Sequence, residues 1–175
     1  PGSGGKDSIM AAYVLKYKFK MNPLTVTWAP HLYTGVGWRN HQNWIEMGFD
    51  NILFHPNGKV HRLLTKLAFK NLLHPFQPFI LGQKNIGAKF AAMYNVPLVF
   101  YGENEAEYGN PLQDNQKSLR TSEYHVTNDD EDIFLSGVKI KDLIKDHNLT
   151  LNDLSSFLPM DKDEFRKKEI QVHYL

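Results

Sequence analysis

The hexapeptide Ser3-Gly4-Gly5-Lys6-Asp7-Ser8 lies at the start of the chain and determines how the rest of the sequence is interpreted. Glycines adopt backbone angles that other residues avoid, and they let successive amide N–H groups approach an anion closely. A helical pattern begins directly after the turn, so the unpaired amides of a helix N-terminus lie beside it. With the ammonium group of Lys6 and the hydroxyls of Ser3 and Ser8, this turn predicts a phosphate-binding loop.

The hexapeptide is not a Walker A loop. That motif requires Gly-x-x-x-x-Gly-Lys-Ser/Thr, whereas here Asp7 follows the lysine and the glycine spacing differs. The alternative interpretation is a glycine-rich turn that does no more than begin a helix.

Strand and helix patterns alternate after the turn. Short segments rich in apolar and β-branched residues predict strands over 24–29, 51–55 and 96–101. Apolar residues at helical spacing predict helices over 6–20, 38–48, 60–71 and 83–94, the last with Ile86, Phe90, Met93 and Tyr94 inward. Residues 74–79 contain two prolines and are expected to form a connection. This order predicts an α/β fold with a doubly wound parallel sheet.

The second half of the chain differs from the first in composition and in the length of its helical patterns. Short helical patterns at 139–147 and 150–158 predict an appended helical segment, and 170–175 reads as a strand or an extended arm. We therefore expect a core over 1–110 and a second part over 111–175 that holds an acidic loop and short helices.

Composition narrows the function. There are no cysteines, which excludes disulfides and thiolate metal sites, and no apolar run is long enough to span a bilayer. We find no secretory leader and expect a cytoplasmic protein.

Residues 1–90 hold 11 Lys and Arg against three acids, and residues 91–175 hold nine against 16. This asymmetry favours a polyanion bound with a divalent cation, and it fits nucleic-acid binding less well.

An acidic turn follows the third predicted strand. Glu103, Glu105 and Glu107 lie within five residues of one another, where a parallel sheet opens its carboxyl edge. Such carboxylates repel one another unless a cation joins them, so they are candidate Mg²⁺ ligands, as is Asp7. The alternative is a solvated acidic loop.

The hexapeptide resembles the PP-loop of the ATP pyrophosphatases of the adenine nucleotide α-hydrolase class, which have a sheet of the HUP-like type. A closer resemblance, to the N-acetyl sugar amidotransferases of bacterial surface-polysaccharide (lipopolysaccharide) biosynthesis, covers nearly the whole chain. The matching segments are residues 1–8, 24–30 (Leu-Thr-Val-Thr-Trp-Ala-Pro), Trp38, 61–65 (His-Arg-Leu-Leu-Thr), 74–79 (His-Pro-Phe-Gln-Pro-Phe), 82–84 (Gly-Gln-Lys) and 97–110.

The resemblance implies that an acetamido group on a nucleotide-linked sugar becomes an acetamidino group. ATP is cleaved to AMP and pyrophosphate, and Mg²⁺ is required. Ammonia comes from a partner glutaminase of the class that also serves imidazole-glycerol-phosphate synthesis. The family's sheet begins with a strand before the loop, and the family continues beyond residue 175. We therefore expect the chain to be an internal piece of a longer protein.

The resemblance also assigns roles to residues. Lys6 and Asp7 are the implied catalytic residues. The implied ATP-binding or pyrophosphate-binding residues are Ser3, Gly4, Gly5, Lys6, Asp7, Ser8, Trp28, Ala29 and Gly102. Candidates for substrate or phosphate contacts are Arg62, Gln83, Lys84 and Asn104, and the implied metal ligands are Asp7, Glu103, Glu105 and Glu107.

Several alternatives stay open at this point. Trp28 suits core packing as well as a place beside adenine, and Gln83 and Lys84 suit plain solvent exposure equally well. Lys59, Arg62, Lys66 and Lys70 are typical of a solvated helix face, although Arg62 reaches far enough to meet an anion. His31, His55, His61 and His74 have no metal-site spacing and are expected to be structural, with His61 or His74 the first to test as an acid or base. Two other functions remain: a PP-loop enzyme that modifies tRNA, and a non-catalytic nucleotide-binding module.

Overall fold

The computed structural model describes residues 1–102, 119–120, 126–127 and 133–174. The helices are α1 (Lys6–Tyr13), α2 (Gly35–Glu46), α3 (Gly58–Leu72), α4 (Gln77–Tyr94), α5 (Ile140–His147), α6 (Leu151–Leu154) and α7 (Lys162–Lys167). The strands are β1 (Leu24–Trp28), β2 (Asp50–Phe54), β3 (Leu98–Tyr101), β4 (Leu119–Arg120), β5 (Val126–Thr127), β6 (Phe134–Leu135), β7 (Val138–Lys139), β8 (Met160–Asp161) and β9 (Gln171–Tyr174). None of the helices described is long and apolar enough to cross a membrane.

Two parallel strand pairs organise the fold. β1 pairs with β2, with Leu24 opposite Asp50 and Trp28 opposite Phe54. β3 pairs with β9, and the short β4 adds to β9 in the antiparallel sense. Helices lie between the strands of each parallel pair along the chain, because parallel strands need a long crossover connection. The prediction of an α/β fold is confirmed at this level, as a mixed helical and strand architecture with short parallel sheets.

The largest core cluster joins the first parallel pair to helices from both halves of the chain. Val26 and Trp28 of β1 contact buried residues of α3 and α4, such as Leu64 and Ile86. Residues from α5, from α6 and from the turn after α6 complete the cluster, namely Ile140, Leu143, Leu154 and Phe157. The predicted short helices are confirmed, and they share their core with α3 and α4.

Buried hydrogen bonds fix this second part against α4. The side-chain amide of Asn85, which is 3 % exposed, donates to the Phe157 carbonyl at 3.0 Å. The amide N–H of Ser136 donates to the side chain of Gln77 at 3.1 Å. Satisfying these polar groups at the packing surface specifies one arrangement of the two parts, since an unpaired buried group is costly.

Helix α4 differs from its predicted extent. It begins at Gln77, six residues before the predicted start, so residues 77–79 are helical and not part of a connection. Pro78 lies in the first turn, where the missing N–H would have no helical partner in any case. Met93 and Tyr94 were predicted to face inward but are 69 % and 52 % exposed. The prediction that they are core residues is wrong.

Helix α1 is extended by a π-helical turn. The predicted helix over 6–20 is α1 followed by the π-helical residues Val14–Lys18. The buried residues of this segment are mostly small, Ser8, Ala11, Ala12 and Leu15. Small side chains allow the helix to approach its neighbours closely.

His61 gives the fold a pH dependence. It lies 2 % exposed in an aromatic cluster with Trp28, Phe79 and Phe157, and this burial, followed by the neighbouring His31 ring, lowers the pKa of His61 to about 4. His61 therefore takes up a proton near pH 6.5 in the unfolded chain but only near pH 4 in the folded chain.

We expect the free energy of unfolding to be constant above about pH 7 and to fall by roughly 1–3 kcal/mol as the pH drops to about 4. Urea denaturation across this range measures the slope. His61→Phe should remove only part of this pH dependence, because His41, whose pKa is also lowered by burial, contributes to it as well. His74→Ala, at an exposed position, is the control and should keep the full slope. An unchanged slope in His61→Phe would contradict this assignment.

Candidate phosphate-binding site

The glycines of the N-terminal turn are required by close backbone contacts. Gly4 has a φ of +79°, and a Cβ at this position would lie 2.2 Å from the carbonyl oxygen of Asn40 in α2. A Cβ at Gly2 would lie 2.5 Å from the Cβ of Ser8. The turn is therefore held tightly against α2 and against the first turn of α1, and no larger residue fits at Gly4.

The turn lies at the carboxyl ends of two strands. The amide of Gly2 donates to the carbonyl of Val26 in β1 at 2.9 Å, and the Thr27 hydroxyl donates to the carbonyl of Gly2 at 2.8 Å. Gly102 follows β3, and a Cβ there would lie 2.6 Å from the carbonyl oxygen of Asp7. The ends of β1 and β3 therefore meet at this turn, and this edge is the usual ligand crevice of parallel α/β folds.

The amides of the turn are available to a ligand. Within the described ranges, the backbone N–H groups of residues 3–8 have no hydrogen-bond acceptor in the protein. Gly5, the residue before α1, has no side chain to cap the helix, so the first turn keeps its unpaired donors. The Ser8 hydroxyl donates to the Gly5 carbonyl at 3.1 Å and so stabilises the turn itself.

A small hollow opens beside the turn. Its volume is about 50 Å³, and its lining includes Ser3, Ser8, Trp28, Gln83 and Gly102. A water molecule needs roughly 10–15 Å³ of such space, so the hollow accepts a phosphate-sized group and not a whole nucleotide. The structure therefore brings together five of the predicted site residues, from the turn, β1, α4 and the end of β3.

Lys6 and Asp7 lie outside this hollow. Their side chains are 90 % and 62 % exposed, and the Lys6 ammonium pairs with the Asp7 carboxylate at 3.6 Å. An exposed pair of this kind contributes little to stability. Both side chains can therefore change partner when an anion with a divalent cation enters, at little cost to the fold.

Trp28 belongs both to the core and to the wall of the hollow. It is 4 % exposed, and its ring packs against Phe54 and Phe157 and against the backbone of Gly82. Its Nε1–H has no acceptor within the described residues. A buried donor without a partner is costly to the folded state.

The other predicted contact residues are divided between different places. The amide of Ala29 donates to the Phe54 carbonyl at 2.9 Å, so this group is used within the sheet. Lys84 is half-buried, and its carbonyl accepts from the Tyr101 hydroxyl at 2.8 Å. Arg62 is exposed and lines a separate cavity, and Lys59, Lys66 and Lys70 are exposed as predicted.

Three of the four predicted metal ligands lie outside the described residues, as does Asn104. These ligands are Glu103, Glu105 and Glu107. Among the described residues, no three His, Asp or Glu side chains cluster in a way that holds a metal ion. Asp7 is thus the one predicted Mg²⁺ ligand that the described ranges include.

Two residues of the site were missed from the sequence. Tyr101 lines the hollow, and its hydroxyl bonds to two carbonyls of α4. Ile86 of α4 lies in the same wall. The position of Tyr101 directly before Gly102, at the end of a buried strand, is the signal that identifies it.

Comparison with known proteins adds nothing to this site: no family model matches the chain, and no curated protein matches it.

The backbone of the turn can be tested directly. Gly4→Ala places a side chain at positive φ and against the Asn40 carbonyl, so we expect a loss of about 1–3 kcal/mol of stability. Gly35→Ala, at the first residue of α2 with open space around it, is the matched control. The control should unfold within about 0.5 kcal/mol of the wild type or slightly later. Equal midpoints for both variants in urea would show that the turn is not held as described.

Proposed function

We propose that this chain is the ATP-binding core of an ATP-dependent amidotransferase acting on a nucleotide-linked N-acetyl sugar. The observation that carries the proposal is the turn of residues 3–8, whose unpaired amides meet the carboxyl ends of β1 and β3. Backbone amides at a helix N-terminus, a lysine and a phosphate-sized hollow suit the pyrophosphate of ATP.

The arrangement of the strands supports a finer proposal for the fold. The backbone of Gly2 lies beside β1, and Pro1 lies in the same groove as Val26 of β1 and Val99 of β3. The two parallel pairs thus flank the segment that leads into the turn. We propose that β2, β1, β3 and β9 belong to one doubly wound parallel sheet of the HUP-like type, with the turn at its centre.

The proposed reaction needs no protein nucleophile. The amide oxygen of the acetamido group attacks the α-phosphorus of ATP, and the bond from that phosphorus to the bridging oxygen breaks, releasing pyrophosphate. Ammonia then adds to the activated carbon, and AMP leaves with the former amide oxygen. Loss of a proton leaves the acetamidino group. Positioning and stabilisation of the developing charge therefore provide the rate enhancement.

The residues of the turn perform that stabilisation. The amides of residues 4–8 would donate to the departing pyrophosphate, and Lys6 would turn from Asp7 to the same oxygens. Mg²⁺ supplies neutralisation of phosphate charge when it is bound. Asp7 is the described candidate to hold it, and Glu103, Glu105 and Glu107 are the others. The ring of Trp28 and the half-buried Gln83 close the hollow on the side of α4.

The ammonia source is part of the proposal. A glutaminase of the class that also serves imidazole-glycerol-phosphate synthesis would deliver ammonia in the cytoplasm, where nucleotide-linked sugars are made. Free ammonium salts can replace such a partner in an assay, because the second step requires only ammonia.

The product of ATP cleavage tests the proposal. The protein is incubated with ATP, Mg²⁺, isotopically labelled ammonium and a panel of nucleotide-linked N-acetyl sugars, and the products are separated by anion exchange. We expect AMP and pyrophosphate, formed only with both sugar and ammonium, and label in the sugar. Lys6→Ala should lower AMP formation by about 100-fold or more.

Lys70→Ala is the matched control, since Lys70 is an exposed lysine near the end of α3. It should form AMP at the wild-type rate. Release of ADP in place of AMP would contradict the assignment of the turn. Binding of ATP without turnover on any sugar of the panel would favour a non-catalytic nucleotide-binding module.

A further inference from the structure

A second cavity lies beyond the carboxyl ends of β1 and β2, beside the first turns of α3. Its volume is about 740 Å³, within the range of small-molecule sites. It shares no lining residue with the hollow beside the turn of residues 3–8. The nitrogen-bearing side chains in its wall are those of His31, His55, His61, Arg62 and Lys66. None of the described residues in its wall is acidic.

The two permanent cations of this wall lack anionic partners. Arg62 and Lys66 are exposed and lie one helical turn apart, so both side chains emerge on the same face of α3. Neither forms an ion pair with a carboxylate of the described residues. Gly58, the first residue of the 15-residue helix α3, also lines the cavity, so the positive end of the helix dipole adds to the same potential.

The hydrogen bonds of His31 fix one of its ring nitrogens. The Thr65 hydroxyl donates its single proton to the His61 carbonyl at 2.8 Å. The His31 Nε2 lies 3.3 Å from the same hydroxyl oxygen and must therefore be the donor in that contact. This leaves the His31 Nδ1 to accept, or to donate once the ring is protonated, beside Arg62 and Lys66.

His61 adds a buried polar group without a partner. Its ring stacks on that of His31 with centroids 3.8 Å apart, and its Nε2 has no hydrogen-bond partner in the part of the chain that the structure describes. Burial, followed by the neighbouring His31 ring, lowers the pKa of His61, and an anion close to it would favour its protonated form.

The rest of the wall is apolar and exposes surface against which the ring of a ligand could pack. Phe69 and Leu32 are 58 % and 88 % exposed, and Pro30, Pro56 and Pro75 complete this side. An aromatic face and an aliphatic side chain next to two cations suit a ligand with an anionic end and a flat or puckered ring.

From these observations we infer that this cavity binds an organic anion, holding its phosphate or carboxylate group between His31, Arg62 and Lys66 and its ring against Phe69. The site is independent of the phosphate-binding turn and does not require the proposed function. If the proposed function holds, the nucleotide-linked sugar is a ligand of this chemistry.

Calorimetric titration with two probes tests the site and distinguishes the two anions. Uridine diphosphate carries phosphate groups and glucuronate carries a carboxylate. We expect at least one of them to bind, with the affinity reduced about tenfold or more in Arg62→Gln and in Lys66→Gln.

Two controls separate this site from the turn. Lys59→Gln changes an exposed lysine of the same helix that does not line the cavity, and it should leave the affinity unchanged. Gly4→Ala alters the turn and should leave unchanged the binding that depends on Arg62 and Lys66. Because these measurements detect binding alone, they hold whether or not AMP is formed in the assay above.

Three results would overturn the inference. The first is that neither probe binds the wild-type protein. The second is that binding persists unchanged in Arg62→Gln and Lys66→Gln. The third is that binding is lost in Gly4→Ala and kept in the two α3 variants, which would place the probe at the turn.

Discussion

The structure depends on one close contact between three backbone segments. The turn at Gly4 touches the Asn40 carbonyl of α2, and Gly102 at the end of β3 touches the backbone of Asp7. Glycine is required at both places because a Cβ would overlap the neighbouring backbone. This arrangement brings α1, α2 and β3 together at one edge, and within the described ranges the amides of residues 3–8 have no hydrogen-bond acceptor.

The two candidate sites share the carboxyl end of β1 but differ in their chemistry. At the turn, the proposed anion binding would rely on backbone amides, which keep their geometry at any pH and suit anions of limited size. In the cavity beside α3, it relies on side chains with adjustable charge and reach, next to exposed apolar surface. Of the basic residues in the first 90, Arg62 and Lys66 line the cavity and Lys6 belongs to the turn.

Much of this fold is predictable because its signals are local. The strands β1, β2 and β3 and the turn of residues 3–8 follow from short contiguous patterns. The sequence does not reveal the start of α4, because the two prolines of residues 74–79 favour a connection, although Pro78 lies where a helix tolerates it. Met93 and Tyr94 fit the helical period of α4 but lie at its exposed end. His31 and His61 are 30 positions apart and stack only because β1 and α3 meet, which no spacing along the chain reveals.

The most direct test of the account is an amide-resolved NMR titration of the protein with pyrophosphate and Mg²⁺. We predict saturable shifts of the amide signals of residues 4–8 and of Gly102, and rapid solvent exchange of the unpaired amides of residues 4–8 before pyrophosphate is added. Amides at the turn that stay unshifted at saturating pyrophosphate, or that are already protected from exchange, would contradict the claim that this turn is an open phosphate-binding loop.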